Sequence, residues 1–248
     1  MLLLFYFAGF VAVGLAADAE SLVGSISRDG ADIIRKAQSG FGTVRQCSCA
    51  EQAECVEEMK RQANECNRPC FERFSKVTDR VDELFTCFDA KADIIERFLG
   101  CFEHQVDGCI QTSMGPQIPK TNISNLFTLA QSALERKDPT LDALLSPIKH
   151  ILDSAGEWAL CLKECFLGRN KHGFCFDRKG KIINYANFPK LDERKAQRSF
   201  KRCTHRIHWK DQAGDLCHCS ANAGLTELNQ YCLLFDHMKS ARRHPQRG

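Results

Sequence analysis

Fifteen cysteines constrain the fold of this 248-residue chain more than any other feature of its sequence. Cytosolic proteins are kept reduced, so a chain with this many thiols is typical of an oxidising compartment, where cysteines pair in disulfides. Apolar residues make up 44% of the chain, which is enough for a hydrophobic core beside the disulfides. The cysteines therefore predict a secreted, disulfide-stabilised globular protein.

The start of the chain is typical of a secretory signal peptide. Residues 1–17 carry no charged side chain, and the polar chain begins at Asp18. Small residues fit cleavage after Ala16 or after Ala19, so we expect the signal within residues 1–19. A transmembrane anchor is the alternative, although the apolar run is at the lower limit for a spanning helix. No later segment is apolar enough to span a bilayer, so the mature protein is expected to be extracellular, without a membrane span.

The cysteines fall into two groups along the chain. The first group is Cys47, Cys49, Cys55, Cys66, Cys70, Cys87, Cys101 and Cys109. The second group is Cys161, Cys165, Cys175, Cys203, Cys217, Cys219 and Cys232. If bridges stay within groups, the first closes into four disulfides and the second leaves one cysteine over. That cysteine could stay unbridged inside the fold or link two chains into a disulfide-bonded homodimer.

Cysteine spacing reduces the number of possible pairings. Cys66 and Cys70 share one helix face, as do Cys161 and Cys165, and side chains that run alongside each other are poorly placed to bond. Each of the four is therefore expected to reach a neighbouring helix. Two closer pairs are expected to bond outward in two directions: Cys47-Ser48-Cys49 and Cys217-His218-Cys219.

Apolar residues at three- and four-residue steps predict a mainly α fold, a disulfide-stapled helical bundle or bundles with at most one short β-hairpin. The predicted helices cover residues 50–66, 69–88, 90–106, 125–166, 192–209 and 226–239. The hairpin is predicted over residues 174–185, around the turn at Gly180.

Charge divides the chain into regions of opposite sign. Residues 47–109 hold fourteen acidic and eight basic residues, whereas residues 163–210 hold four acidic and fourteen basic residues. This asymmetry predicts two surfaces with different partners, two modules that attract each other, or the solvated faces of one molecule. The predicted organisation is an acidic cysteine-rich helical module at 42–110, a linker at 111–124, a second helical module with the basic helix at 125–239, and a disordered basic tail at 240–248.

A basic helix over residues 192–210 is the main functional candidate. Its cations form one stripe at helical spacing: Arg194, Arg198, Lys201, Arg202, His205 and Arg206. The opposite stripe is apolar: Ala196, Phe200, Cys203 and Ile207. A row of cations suits a polymer of sulfate or phosphate groups, because each contact releases bound counterions. Outside the cell this partner is expected to be a sulfated glycosaminoglycan rather than nucleic acid; the alternative is a solvated helix face, turned toward the acidic module.

The remaining motifs of the sequence indicate one glycosylation site and no known catalytic site. Asn122-Ile123-Ser124 is the one N-glycosylation sequon of the chain. The chain has no Gly-x-Ser-x-Gly elbow, phosphate-binding loop or His-Glu-x-x-His motif, so we expect neither an enzyme nor a cofactor. One cluster of cysteines and histidines could instead bind zinc. Its spacing matches none of the common zinc-finger patterns, so we expect no metal. That cluster is Cys217, His218 and Cys219 with His205 and His208.

The cysteine order of the first group, with phenylalanine following Cys70, Cys87 and Cys101, resembles that of secreted cysteine-rich proteins of nematodes. Within these it is most similar to the chondroitin-proteoglycan type-4 domain, an all-helical disulfide module. The resemblance implies an extracellular or eggshell-matrix protein without catalysis. Another matrix protein is the alternative partner to a glycosaminoglycan. The one Ser-Gly dipeptide, Ser39-Gly40, follows basic residues, so the chain itself is not expected to carry chondroitin.

A carrier is the second functional hypothesis. Five cysteines are followed directly by phenylalanine: Cys70, Cys87, Cys101, Cys165 and Cys175. Disulfide-linked helices with phenylalanine-rich faces can enclose a cavity for a lipid or another small apolar ligand. Core packing explains the same pattern without a ligand, and a ligand for a cell-surface receptor is a third possibility that leaves no testable motif.

Overall fold

Helices form most of the structure, a computed structural model that describes residues 32–33, 35–37, 42–106, 109–119, 122–134, 143, 145–179 and 193–240. The α-helices are α1 (Cys49–Phe71), α2 (Val81–Asp89), α3 (Ala92–Val106), α4 (Ile123–Leu134), α5 (Lys149–Arg169), α6 (Cys175–Lys179), α7 (Glu193–Arg206), α8 (Trp209–Asn222) and α9 (Asn229–Ser240). Single 3-10 turns cover Glu72–Lys76, Ser146–Ile148 and Thr226–Leu228.

The predicted mainly α, disulfide-stapled fold is confirmed. The predicted signal, residues 1–19, and residues 241–248 of the predicted tail lie outside the described residues, and Ser240 closes α9 instead of opening that tail.

Seven disulfides hold these helices together. They are Cys49–Cys109, Cys55–Cys175, Cys66–Cys165, Cys70–Cys161, Cys87–Cys219, Cys101–Cys203 and Cys217–Cys232. Five of them join a cysteine of the first group to one of the second, so pairing within groups is wrong. Cys47, in the first group and not the second, is the cysteine outside the seven disulfides, and it is buried. The expectation that Cys47 and Cys49 both form outward disulfides is therefore wrong for Cys47, while Cys49 bonds to Cys109. A disulfide-linked dimer stays a prediction.

The two Cys-x3-Cys segments form what we call the α1–α5 ladder. Cys66 bonds to Cys165 and Cys70 bonds to Cys161, with Cα–Cα distances of 5.9 and 5.6 Å. Because the lower-numbered cysteine of α1 pairs with the higher-numbered cysteine of α5, the two helices run antiparallel. A four-residue step is about one helical turn, so the two rungs lie on one seam. The prediction that these cysteines bond to a neighbouring helix is confirmed.

Helix α1 passes through Pro69, where the sequence predicts a new helix. Proline disfavours a helix because it has no N–H to donate to the carbonyl four residues earlier; Pro69 lies in the last turn of α1, and only Cys70 and Phe71 of the helix follow it. Both Cys66 and Cys70 must face α5 to form the ladder, and this requirement keeps the turn between them helical. The prediction of a helix starting at Pro69 is therefore wrong.

The predicted helix over residues 69–88 instead breaks before Val81, at Thr78. The Thr78 hydroxyl accepts a hydrogen bond from Arg80 N at 3.0 Å and donates one to Ala223 O at 2.7 Å. Threonine side chains that bond to nearby backbone groups compete with helix formation. Gly224 follows with φ +102°, and a Cβ there would collide with the Thr78 hydroxyl. The break thus fastens the start of α2 to the end of α8.

Two clusters of buried side chains form the core. The larger cluster joins α1, α2, α5, α8 and α9 and centres on Phe71, Phe74 and Trp158, all at most 1% exposed. The rings of Phe71 and Phe74 each lie 6.2 Å from the Trp158 ring, in aromatic contact distance. The smaller cluster surrounds the Cys55–Cys175 disulfide and includes Phe127 and Phe166.

Helices α3 and α7 form a pair of their own outside both clusters. Among the described residues, neither helix contributes a side chain to the larger or the smaller cluster. They pack on each other, with Ile94 and Phe98 of α3 and Cys203 of α7 buried. The Cys101–Cys203 disulfide joins them, with its Cα atoms 5.8 Å apart. We call this pair the α3–α7 lobe.

The predicted hairpin over 174–185 is wrong in its first half, because Cys175–Lys179 is the helix α6. Consecutive residues Cys175 and Phe176 are both buried, at 3% and 5% exposure, whereas a strand would turn them to opposite faces. Residues 180–185 lie outside the described part of the chain. Within the described ranges the strands are β1 (Thr43–Arg45) and β2 (Gln117–Pro119), an antiparallel pair distant in sequence. The stretch 111–124, predicted as a linker, thus supplies β2 and the start of α4.

The start of α1 is fixed by a capping box that the sequence motif Ser48-x-x-Glu51 could have indicated. Ser48 Oγ accepts a hydrogen bond from Glu51 N, and Ser48 N donates to Glu51 Oε2 at 2.8 Å. Arg45 Nη2 donates to Glu51 Oε1 at 2.8 Å, and both side chains are mostly buried. The Arg45 guanidinium, together with the bonds from Ser48, lowers the pKa of Glu51 from 4.5 to about 2.

This carboxylate should make the stability of the protein depend on acid pH. A carboxyl whose pKa is lower in the folded state stabilises it above the unfolded pKa of 4.5 and loses that contribution as the pH falls toward 2. We expect Glu51→Gln to lower the free energy of unfolding by about 1–3 kcal/mol at pH 6. The difference from the wild type should shrink to near zero at pH 2. Urea unfolding at several pH values measures it, and a difference independent of pH would contradict the assignment.

Candidate polyanion-binding surface

The described Arg, Lys and His side chains of the basic helix lie on the outer side of α7. Arg198, Lys201, Arg202, His205 and Arg206 are all exposed, and we call them the cationic face. On the opposite side Ser199, Cys203 and Ile207 are buried, at 4%, 0% and 4% exposure. Arg194 belongs to the same helix, but its side chain lies outside the described residues, as do those of Ala196 and Phe200. The predicted amphipathic division is therefore seen wherever the structure describes it.

The basic helix is shorter than the predicted range of residues 192–210. Helix α7 ends at Arg206, and His208 adopts a left-handed conformation with φ +50° before α8 begins at Trp209. A non-glycine residue in this conformation makes a sharp change of chain direction. Buried Ile207 anchors the turn, and His208 redirects the chain into α8. The five residues of the cationic face all lie within α7, and Arg206 is its last residue.

The lobe fixes how the cationic face is presented. Cys203, the middle of the buried side of α7, is bonded to Cys101 of α3. A disulfide at this point prevents α7 from rotating about its axis, so the opposite side must face solvent. The cations are thus held outward by a covalent bond to the neighbouring helix.

Arg202 has a neutral partner. Its Nη1 donates a hydrogen bond to Gln105 Oε1 at 2.9 Å, across the contact between α7 and α3. At least seven other arginines of the described structure form ion pairs with carboxylates: Arg35–Asp32, Arg45–Glu51, Arg68–Asp82, Arg80–Glu83, Arg97–Asp93, Arg169–Glu65 and Arg178–Glu58. An amide orients a guanidinium without cancelling its charge. No sequence motif indicated Gln105, because its role depends on the packing of α3 against α7.

The acidic region, by contrast, is extensively neutralised. At least seven of its fourteen carboxylates form ion pairs in the described structure: Glu51, Glu57, Glu58, Glu65, Asp82, Glu83 and Asp93. Two of the cations involved, Arg169 and Arg178, come from the basic region. The opposite charges of the two regions thus meet partly within the molecule, on α1, α5 and α6. The cationic face lies on a different helix.

The remaining predicted site residues fall elsewhere. Cys217 and Cys219, from the zinc alternative, are bonded to Cys232 and Cys87 in two directions, as predicted for a Cys-x-Cys pair. A cysteine in a disulfide offers no thiolate to a metal. His218 Nε2 lies 2.8 Å from Asp236 Oδ2 on α9. In the described part of the chain, no group of three or more His, Cys, Asp or Glu side chains is arranged to hold a metal ion.

Two of the phenylalanines that suggested a carrier, Phe71 and Phe88, pack against other aromatic rings, and a third, Phe166, packs against Phe127 and Phe174. Phe71, Phe74, Phe85 and Phe88 and Trp158 form one set of ring contacts, with centroids 4.8–6.5 Å apart. Their burial is explained by packing in the larger core cluster, so no contact of these rings favours the carrier hypothesis. Asn122, the predicted glycosylation site, lies immediately before α4 and away from the cationic helix in sequence.

Comparison of the chain with family models, with curated proteins and with solved structures found no match. Across the described residues, no helix is both long and apolar enough to cross a membrane. The seven disulfides fit a secreted disulfide-rich protein, and the structure by itself adds no more specific identity.

Proposed function

We propose that the chain is a secreted, non-enzymatic interaction protein that binds a sulfated glycosaminoglycan through the cationic face of α7. The observation that carries the proposal is the row of four exposed Arg and Lys side chains, with His205 among them, on a helix whose other side is fixed by the Cys101–Cys203 disulfide. The role fits an extracellular-matrix or eggshell protein of the kind that the cysteine order resembles.

Preorganisation supports this proposal. Binding a flexible polyanion costs entropy, and a receptor whose cations are already positioned loses less on binding. Helical spacing places Arg198, Arg202 and Arg206 one turn apart, so successive guanidinium groups can contact successive anionic groups of a chain. Each sulfate group presents pairs of acceptor oxygens to which a planar guanidinium group can donate two parallel hydrogen bonds.

Four substitutions test the proposal. Replacing Arg198, Lys201, Arg202 and Arg206 with glutamine keeps residues that favour helix and removes four charges. We expect the variant to elute from heparin and chondroitin-sulfate resins at clearly lower salt. The dependence of log affinity on log salt should become shallower by up to about 3, because fewer counterions are released.

A matched control separates a local site from overall charge. Exposed Arg61, Arg73, Lys149 and Lys171 lie outside the lobe, and their replacement by glutamine changes the net charge equally. This control should elute close to the wild type. If both quadruple variants elute at the same salt, binding follows net charge and the cationic face is not a site.

A single substitution at Gln105 provides a second test of polyanion binding. Gln105→Glu places a carboxylate beside the Arg202 guanidinium, in the place of the amide that now accepts its hydrogen bond. The fold should be retained, since an ion pair replaces a hydrogen bond of the same geometry. Elution should shift to lower salt in the direction of the quadruple variant, whereas Gln105→Ala should shift it less.

A further inference from the structure

We propose that Asn122 carries an N-linked oligosaccharide and that it is attached before α4 folds onto the rest of the chain. The proposal concerns a modification of the amide and is independent of polyanion binding. It requires entry into the secretory pathway, which the predicted leader provides.

The local geometry suits a glycan on one atom of the Asn122 amide. Asn122 Oδ1 accepts a hydrogen bond from Asn125 N at 2.9 Å and so caps the start of α4. Nδ2, the atom to which a glycan is attached, donates no hydrogen bond to any of the described residues. A substituted amide keeps its oxygen as an acceptor, so a glycan on Nδ2 leaves the cap in place. Ser124, the third sequon residue, is exposed.

The backbone of the sequon is engaged once the protein has folded. Asn122 N donates to Ala37 O at 2.9 Å, and Asn122 O accepts from Leu126 N at 2.9 Å. Ile123, the middle residue of the sequon, is 8% exposed and belongs to the smaller core cluster. An enzyme that must surround the sequon would have to break these contacts. Attachment therefore belongs to the unfolded chain.

The order of the disulfides keeps the sequon open during synthesis. Cys49–Cys109 is the one disulfide whose two cysteines both precede Asn122. The other six each need a cysteine at position 161 or later. The surface that covers α4 also comes late, because Phe127 packs against Phe166 with ring centroids 6.0 Å apart. The smaller core cluster therefore cannot close over Ile123 and α4 until the segment after them has entered the same compartment.

The reaction is a transfer of sugar without oxidation or reduction. Asn122 Nδ2 attacks the anomeric carbon of an oligosaccharide linked to a lipid pyrophosphate. A C–N bond forms, the C–O bond to the pyrophosphate breaks, and the lipid pyrophosphate leaves as Nδ2 loses one proton. The remaining N–H and the oxygen of the amide stay available to the fold.

Expression of the full chain with its leader in eukaryotic secretory cells tests the site. The secreted wild type should lose mass in a single step on treatment with an N-glycosidase. Ser124→Ala destroys the sequon and leaves Asn122 intact, and Asn122→Asp removes Nδ2 while keeping an oxygen for the cap. Both variants should lack the step and should retain the near-ultraviolet circular dichroism of the deglycosylated wild type. A secreted wild type without glycosidase-sensitive mass overturns the proposal.

The order of events has its own test. Two forms of the full-length protein are incubated with solubilised oligosaccharyltransferase and its lipid-linked donor. One form is folded and unmodified, and the other is reduced and alkylated. We expect modification of the unfolded form and at least tenfold less of the folded form. Equal modification of both forms overturns the order, whatever the result for the site. The quadruple α7 variant should keep the glycan, so failure of polyanion binding and failure of glycosylation are separate outcomes.

Discussion

Replacing all four cysteines of the α1–α5 ladder with alanine is expected to prevent the chain from folding to a secreted form. Loss of one native disulfide costs about 2–5 kcal/mol. Loss of both rungs therefore approaches the total stability of about 5–15 kcal/mol that is usual for a folded domain. The rungs are Cys66–Cys165 and Cys70–Cys161, which connect positions 99 and 91 residues apart. Secreted yield and mobility on non-reducing gels measure the effect.

Cys217–Cys232 supplies the matched control, since it also joins two adjacent helices. The Cys217–Cys232 disulfide closes a loop of 15 residues, whereas Cys70–Cys161 closes one of 91. Loop-closure entropy predicts that the shorter bridge stabilises the folded state by about 3 kcal/mol and the longer one by about 4.6 kcal/mol. Cys217→Ala with Cys232→Ala should lower the urea midpoint but leave a secreted, folded protein. Secretion of the ladder variant at the level of this control would show that packing of α1 on α5 suffices without the disulfides.

Replacing Trp158 with alanine is expected to lower the free energy of unfolding by about 3–5 kcal/mol. Trp158 is 1% exposed, and its ring contacts Phe71 and Phe74 at the centre of the larger cluster. Its Nε1 also donates a hydrogen bond to Asn67 Oδ1 at 3.1 Å. The substitution therefore opens a cavity and leaves a polar oxygen without its donor. Urea denaturation followed by far-ultraviolet circular dichroism measures the loss.

Two further variants separate packing from hydrogen bonding at this position. Trp158→Phe keeps most of the ring contacts and loses the donor, so it should cost less than the alanine variant. Asn67→Leu in the Trp158→Phe background removes the unsatisfied oxygen and should recover about 1 kcal/mol. If Trp158→Ala unfolds at the same urea concentration as the wild type, Trp158 does not lie at the centre of the core.

Helix faces were predictable from the sequence, whereas partners were not. Periodicity places Cys66 and Cys70 on one face and the cations of α7 on another, because both follow from 3.6 residues per turn. It does not say which helix lies opposite, so the pairing of the first cysteine group with the second emerged only in three dimensions. For the same reason Gln105 was not identified, since its partner Arg202 lies 97 residues away.

Local rules failed where tertiary bonds overrode them. Pro69 ordinarily marks a helix start, but the ladder keeps α1 continuous around it. The run from Phe174 was interpreted as a strand, but the Cys55–Cys175 disulfide and the neighbouring cluster bury two consecutive side chains and favour a helix. The end of α7 at Arg206 reflects the left-handed His208; histidine is enriched in this conformation among non-glycine residues, yet it adopts it too rarely for the sequence to indicate the turn.

The α3–α7 lobe gives this molecule two parts that can change independently. Because the described side chains of α3 and α7 belong to neither core cluster, substitutions on their outer faces do not disturb the packing around Trp158. One disulfide, Cys101–Cys203, preserves the orientation of whatever residues α7 carries. A stable scaffold with an exchangeable outer helix is a favourable starting point for new specificity, in evolution as in engineering. The charge pattern of this helix can therefore diverge quickly while the disulfide framework stays the same.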